Sequence, residues 1–490
     1  MYNYLNLILI IVSGALLTPF IMRSLGPSQY GLYLLIGSLI PYFALLDIGM
    51  GKTTTRYVAH YRARHDEAGE AQFLTSASRI YLIITAIVLI VGALLYCNVT
   101  AIWGERFTPE EIADMRRMVL IVVTANAIII PGNIFTAICN GCGEFAFTRG
   151  VLPIKYLIRI VCIVALLLMG TDAAAIILLE TVLNIAIAIA TYAHVKRRIG
   201  RKQLCSRTAH PYKPIIRYTG WIALYGLIYA LQWNIAPIIA SMSNDTTTVA
   251  IIGVGILIGN IYGYFAETIN KMMMPTASTF VKEHRNGEEV TGEMSRIGRI
   301  ITLTQLLILG AFIIFGKTFV SLWAGEGYEE AYYVVLMMML CWSVQQAQDY
   351  GNSLLEAIGE IRYMSMINFT AITAGIVAAC IVAPTHGIMG IMTALGTGTI
   401  VATVVSNLYY RRKLKLDVCR YMRNVYARPV AVVAAILLGL SGAKHLLGIE
   451  DNLLWLIAGG ATYVILYAAA AYRWLLNDKE REYLRDKCKR

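Results

Sequence analysis

Apolar runs of about twenty residues recur along this chain from one end to the other, and few folds can accommodate them. An α-helix needs about 20 residues to cross ~30 Å of hydrocarbon. Lipid offers no hydrogen-bond partner to an open backbone, so only helices and closed barrels span it. Fourteen helices are expected, over 3–22, 30–51, 74–97, 118–140, 151–169, 173–194, 219–240, 247–270, 297–316, 331–352, 363–382, 386–410, 428–447 and 453–474. Only 15% of the 490 residues are charged, against roughly a quarter in a soluble domain. No series of short alternating segments points to a β-barrel. The expectation is an all-α integral membrane protein of about 14 transmembrane helices.

Lys and Arg orient these helices. Counted with the helix ends, alternate connecting segments hold 34 and 6 of them, while Arg79 and Arg159 remain inside helices. The positive-inside rule then puts the basic side, and both termini, in the cytoplasm. Topology beside anionic lipid headgroups therefore explains the net charge of +12, and membrane lipids rather than nucleic acid are the expected partners. The most basic segment, His194 to Arg217, holds eight Lys+Arg and no acid. It separates two stretches that echo each other. Leu35-Ile36-Gly37 and Tyr42-Phe43-Ala44 return as Leu257-Ile258-Gly259 and Tyr264-Phe265-Ala266, and Gly132-Asn133 returns as Gly351-Asn352. A duplicated helical bundle is the natural reading: an N-lobe over 1–194, a basic linker over 195–217, a C-lobe over 218–410, a basic loop over 411–427, a final helix pair over 428–476 and a tail over 477–490.

Several functions are disfavoured. No loop is long enough to form a soluble domain; the longest on the outside, Asn98 to Arg117, has about twenty residues. A membrane glycan polymerase or ligase, which presents acidic residues or a metal on such a loop, is therefore a weak alternative. Gly51-Lys52-Thr53 imitates the end of a phosphate-binding loop, but Leu46 stands where its first glycine should be and no strand precedes it. Cys139 and Cys142 have CxxC spacing without a histidine near them, and the nine cysteines are scattered, so neither a metal site nor a disulfide framework is expected. Tyr4 to Met22 follows no basic n-region and precedes no small-residue cleavage site, so it reads as a retained helix.

A charge at mid-bilayer costs on the order of 2.5–3.5 kcal/mol and is retained for a reason. Arg159 lies near the middle of the fifth helix, with Lys155 four residues earlier on the same face. The pair could bind an anion, or Arg159 could instead pair with Glu180 of the sixth helix. Lys52 and Arg56 share a face at the cytoplasmic end of the second helix, and Arg79 lies near that end of the third; each could capture an anionic headgroup or simply snorkel. The acids Asp47, Glu180, Glu267 and Asp349 could couple transport to an ion. Glu267 has Lys271 at i+4 as a local partner, and Asp349 sits in a polar patch with Gln345, Gln346, Gln348 and Asn352 that must avoid lipid. On the seventh helix Tyr218, Trp221, Tyr225, Tyr229 and Trp233 form one stripe, suited to sugar stacking or to helix packing.

The stretch from Leu25 to Tyr61 contains LGxxxYG (Leu25, Gly26, Tyr30, Gly31), LLDIGMG (Leu45 to Gly51) and TRYVA (Thr55 to Ala59). It resembles the first two helices of Wzx-type O-antigen and polysaccharide flippases, members of the MATE-like multidrug/oligosaccharidyl-lipid/polysaccharide (MOP) exporter superfamily. The resemblance implies two six-helix lobes with two added C-terminal helices, and helices one and seven beside a central cavity. It further implies a transporter of the bacterial cytoplasmic membrane, not an enzyme. Its cargo would be an undecaprenyl-pyrophosphate-linked oligosaccharide, moved by alternating access and driven by H+ or Na+ without other cofactors. A polysaccharide polymerase and a chain-length regulator are the protein partners implied. A cation-coupled multidrug exporter on the same scaffold is the alternative. Its cavity should be acidic, whereas Arg159 and Arg79 favour an anionic cargo.

Overall fold

The computed structural model describes residues 2–198, 211, 227–228, 230–283, 286–358, 360–447 and 452–475, and every regular element among them is helical. In chain order these are α1 (Tyr2–Ala63), α2 (Glu67–Trp103), α3 (Pro109–Gly141), α4 (Phe145–Leu168), α5 (Ala173–Arg198), α6 (Ala236–Ser243), α7 (Thr246–Glu283), α8 (Gly287–Ala324), α9 (Ala331–Gln345), α10 (Asp349–Ala357), α11 (Ile361–Lys413), α12 (Val418–Met422), α13 (Arg428–Leu447) and α14 (Leu453–Ala470). Nine described helical stretches are long and apolar enough to cross a membrane. Two long helices contain a break where the sequence predicts a boundary. In α1, Gly26 adopts φ 73° and ψ 169° just before Pro27, a backbone open to glycine beside a residue with no N–H to give. In α11, Gly387 breaks the helix at φ 51° and ψ −138°, three residues after Pro384. The expected linker and tail fall almost wholly outside the described residues, as does the first part of the seventh helix.

The chain forms two compact units, 1–253 and 254–490. In the first, α3 is the central element and packs against α1, α2, α4 and α5. Its start is fixed by a capping box in which Thr108 and Glu111 satisfy each other's backbone N–H, with Pro109 in the first turn. The Glu111 carboxylate also accepts from Ser28 at 2.5 Å and from Thr246 at 2.8 Å. It thus fastens the starts of the second half of α1 and of α7 to the start of α3. Gly31 of the LGxxxYG motif lies at the same end, where an added Cβ would come within 2.1 Å of the Thr246 carbonyl oxygen. At the opposite end, His194 of α5 is bonded to Glu144 ahead of α4 and stacks on Phe147 with ring centroids 4.0 Å apart.

In the second unit α8 is central and packs against α9, α13 and α14. The α7–α9 contact rests on a sequence stripe with a mechanical meaning. Gly255, Gly259 and Gly263, four residues apart, meet Val334, Met338 and Trp342, also four residues apart. Lipid does not drive helices together by the hydrophobic effect, so close backbone approach through small residues supplies the packing. A Cβ at Gly255 or Gly263 would meet the Val334 or Trp342 side chain at 2.4 or 2.5 Å, whereas at Gly259 it meets the pliable end of Met338 at 2.7 Å. Gly255→Ala and Gly263→Ala should therefore each lower the thermal midpoint in detergent by the equivalent of roughly 1–3 kcal/mol, and Gly259→Ala by less. Equal losses at all three positions would show that the glycines serve something other than helix approach.

Candidate functional site

Arg159 lies about 14 Å from the Leu168 end of α4 and about 21 Å from its Phe145 end, at 1.5 Å per residue. The next helix, α5, runs antiparallel to it, which brings two i, i+4 pairs face to face. Arg159 donates through Nε to a carboxylate oxygen of Glu180. Lys155 donates to Asn184 at 2.8 Å and lies 3.6 Å from the second Glu180 oxygen. The phenol of Tyr33, from the second half of α1, hydrogen-bonds Arg159. Of the two readings offered by the sequence, the pairing of Arg159 with Glu180 is what the structure contains, in a cluster with two cations for one carboxylate. It stays net positive.

The three charged side chains are 16%, 18% and 24% exposed. Ions at this depth face protein or water rather than hydrocarbon, so the cluster points away from lipid. Tyr33 and Asn184 were not foreseen. Asn184 was within reach, being four residues beyond Glu180 on the face opposite Lys155 and Arg159; Tyr33 carries no such signal.

The other expected site residues are distributed differently. Lys52 and Arg56 of α1 and Arg79 of α2 are exposed. The side chain of Asp47 and the residues Tyr218, Trp221, Tyr225 and Tyr229 lie outside the described residues, and Trp233 is buried at 3% exposure. In the second unit the expected tenth helix is not continuous. It ends at Gln345, tightens into a 3₁₀ turn over Gln346–Gln348 and resumes as α10 at Asp349. Glutamine and tyrosine side chains make the break tolerable, because freed carbonyls in a membrane need partners. Asn270 donates to the Gln346 carbonyl at 3.0 Å, Tyr421 to that of Ala347 at 2.8 Å, and Tyr426 to that of Ser343 at 3.2 Å. The Gln346 amide accepts from Gln305 at 2.7 Å and donates to the Gly263 carbonyl at 3.3 Å. Asp349 accepts from Asn352 at 3.2 Å, and Asn352 in turn accepts from Tyr410 at 2.9 Å. Half-buried Glu267 of α7 is near enough for its charge to act on Asp349.

A bundle of long apolar helices with a cationic cluster in one unit and a polar helix break in the other defines a polytopic membrane transporter. The chain belongs to the polysaccharide biosynthesis protein family, whose sequence model matches residues 3–279. A Shigella flexneri protein named for O-antigen transport is 18% identical over 408 residues, covering 80% of this chain and 92% of its own. Among solved structures, the lipid II flippase MurJ in an inward closed conformation aligns over 97% of this chain and 99% of its own, at a TM-score of 0.72 and 14% identity. An inward-facing multidrug resistance transporter of the MATE family, within the MOP superfamily, aligns over 84% and 94% at a TM-score of 0.69 and 16% identity. These likenesses show the shared all-α transporter fold.

Two predictions follow from the local chemistry. Removing the single carboxylate strands two partly buried cations, so Glu180→Ala should cost on the order of 2–4 kcal/mol and Lys155→Ala clearly less, as read by thermal unfolding in detergent. The reverse order would deny Glu180 its place at the centre of the cluster. Just past the Gly141 end of α3, burial pushes the Cys142 thiol up to about 11. In a variant retaining only that cysteine, alkylation should still accelerate above pH 10, because the thiolate is the nucleophile; a plateau near pH 9 would show an ordinary exposed thiol.

Proposed function

We propose that this protein moves an oligosaccharide carried on polyprenyl pyrophosphate from the cytoplasmic to the outer leaflet of the bacterial cytoplasmic membrane. The observation that supports this most strongly is the excess of Lys155 and Arg159 over Glu180 within the α4–α5 cluster. A pyrophosphate is an anion rich in acceptor oxygens, and a guanidinium offers it several fixed donors at once. Glu180 meets Arg159 through Nε and Tyr33 hydrogen-bonds it as well, so an anion would share the guanidinium with both, while Lys155 adds a second charge. Incomplete neutralisation at low dielectric makes such a site attractive to an anion and repellent to a cationic drug. That asymmetry favours a lipid-linked glycan over the cargo of a multidrug exporter.

The remaining residues receive roles in the same scheme. Lys52 and Arg56, with Arg79, would meet the headgroup at the inner leaflet. The aromatic stripe ending at Trp233 would face its sugars. Coupling to H+ or Na+ would fall to Asp349 and Glu267, whose mutual repulsion beside the α9–α10 break a bound cation would offset, with Glu180 and Asp47 as further acids. A polymerase and a chain-length regulator would take up the product.

Native mass spectrometry of the purified protein, offered a polyprenyl-pyrophosphate oligosaccharide together with a cationic amphiphilic drug, tests the cargo class. Selective retention of the glycolipid is expected, weakened roughly tenfold or more by Arg159→Ala, in keeping with one charged hydrogen bond. Preference for the drug, indifferent to Arg159→Ala, would overturn the proposal.

A further inference from the structure

A second cationic site stands at the other end of the first unit. A cavity of about 310 Å³ opens between the end of α2 and the start of α3, lined by Tyr96, Ile112, Ala113, Arg116, Arg117 and Leu120 among others. It is independent of the α4–α5 cluster and of the function proposed for it. In sequence it belongs to the Asn98 to Arg117 segment, whose Arg106, Arg116 and Arg117 are half of the six basic residues on the side where the positive-inside rule disfavours them. Topology gives no reason for these arginines, so another is needed.

The cavity supplies it. Arg116 is held in place from two sides: its Nη2 donates to Thr100 at 2.9 Å, and its guanidinium carbon lies 6.0 Å from the centre of the Tyr96 ring. This fixes a planar cation whose Nε is buried and has no hydrogen-bond partner among the described residues. Arg117 lies beside it, only loosely met by Asp114 at 3.5 Å. Along α3 the lining is apolar one turn to either side of Arg116, with Ile112 buried and Leu120 52% exposed. Apolar side chains about 6 Å along the helix from the arginine on both sides (four residues at 1.5 Å) make the seat amphipathic. A soluble anion would use only its charged part.

We propose that this cavity binds the phosphate group of a membrane lipid at the leaflet facing away from the basic loops, with Arg116 and Arg117 on the phosphate and the apolar lining at Leu120 on the first part of the chain. The phosphate could belong to an anionic phospholipid or to a polyprenyl pyrophosphate; the chemistry of recognition is the same, and the test separates the two.

The experiment is native mass spectrometry of the full-length protein against four probes: dioleoyl phosphatidylglycerol, undecaprenyl pyrophosphate, dioleoylglycerol and inorganic pyrophosphate. Wild type should retain at least one of the two phosphate lipids in preference to dioleoylglycerol and to inorganic pyrophosphate, and which it prefers identifies the source. Arg116→Gln with Arg117→Gln should reduce that retention roughly tenfold. Ala113→Trp, which fills the cavity from an exposed position and leaves both arginines in place, should do the same, so the test stands even if the double variant folds poorly. Unchanged retention in both variants, or inorganic pyrophosphate held as well as the lipids, would overturn the proposal. Arg159→Ala, run alongside, should leave this site's share of phosphatidylglycerol binding intact, which keeps its failure distinct from failure of the flippase reading.

Discussion

The constraint on which the first unit depends is the expense of placing ions at hydrocarbon depth. Two cations and one carboxylate occupy the middle of α4 and α5, where an isolated charge would cost several kilocalories per mole. Their mutual contacts remove much of that cost, but a buried ion pair is seldom a source of net stability. The cluster is therefore poorly explained as a device for holding α4 against α5, a task the surrounding apolar side chains perform without penalty. Under the proposed function, its excess positive charge serves to receive an anionic headgroup.

The second unit solves a related problem with neutral groups. Breaking α9 at Gln346–Gln348 releases carbonyls that water would normally satisfy, and tyrosine, asparagine and glutamine side chains from α7, α8 and the α12–α13 region take its place. A helix interrupted in this way presents backbone dipoles and a carboxylate, Asp349, where a continuous helix would present only side chains. The glycine stripe on α7 then keeps that helix close enough to α9 for Asn270 and Gly263 to reach the break. Packing and polar satisfaction are two aspects of one arrangement here.

Much of this was legible in the sequence. The all-helical, membrane-spanning architecture follows from run length alone, because hydrocarbon thickness sets how many apolar residues a span needs. The Arg159–Glu180 pairing could be named as one of two options, since i, i+4 spacing defines a face but not what faces it. Only the antiparallel register of α4 and α5 added Asn184, and only the fold of α1 brought in Tyr33. The polar patch at Gln345 to Asn352 announced that it avoids lipid, yet its 3₁₀ break depends on tyrosines 74 and 83 residues away, which no local pattern reveals. The Gly255, Gly259 and Gly263 series was visible as a spacing but silent about Val334, Met338 and Trp342. Arg116 looked like an ordinary loop charge until Tyr96 and Thr100 enclosed it.

The most direct test of the central claim is translocation itself. Purified protein in proteoliposomes would be loaded with a short oligosaccharide on polyprenyl pyrophosphate, and the fraction exposed to an impermeant glycosidase followed with time. Wild-type protein should accelerate exposure, and the double change Lys155→Ala with Arg159→Ala should abolish the acceleration while Lys155→Arg retains it. Undiminished translocation by the double variant would contradict the assignment of the α4–α5 cluster as the seat of the anionic headgroup.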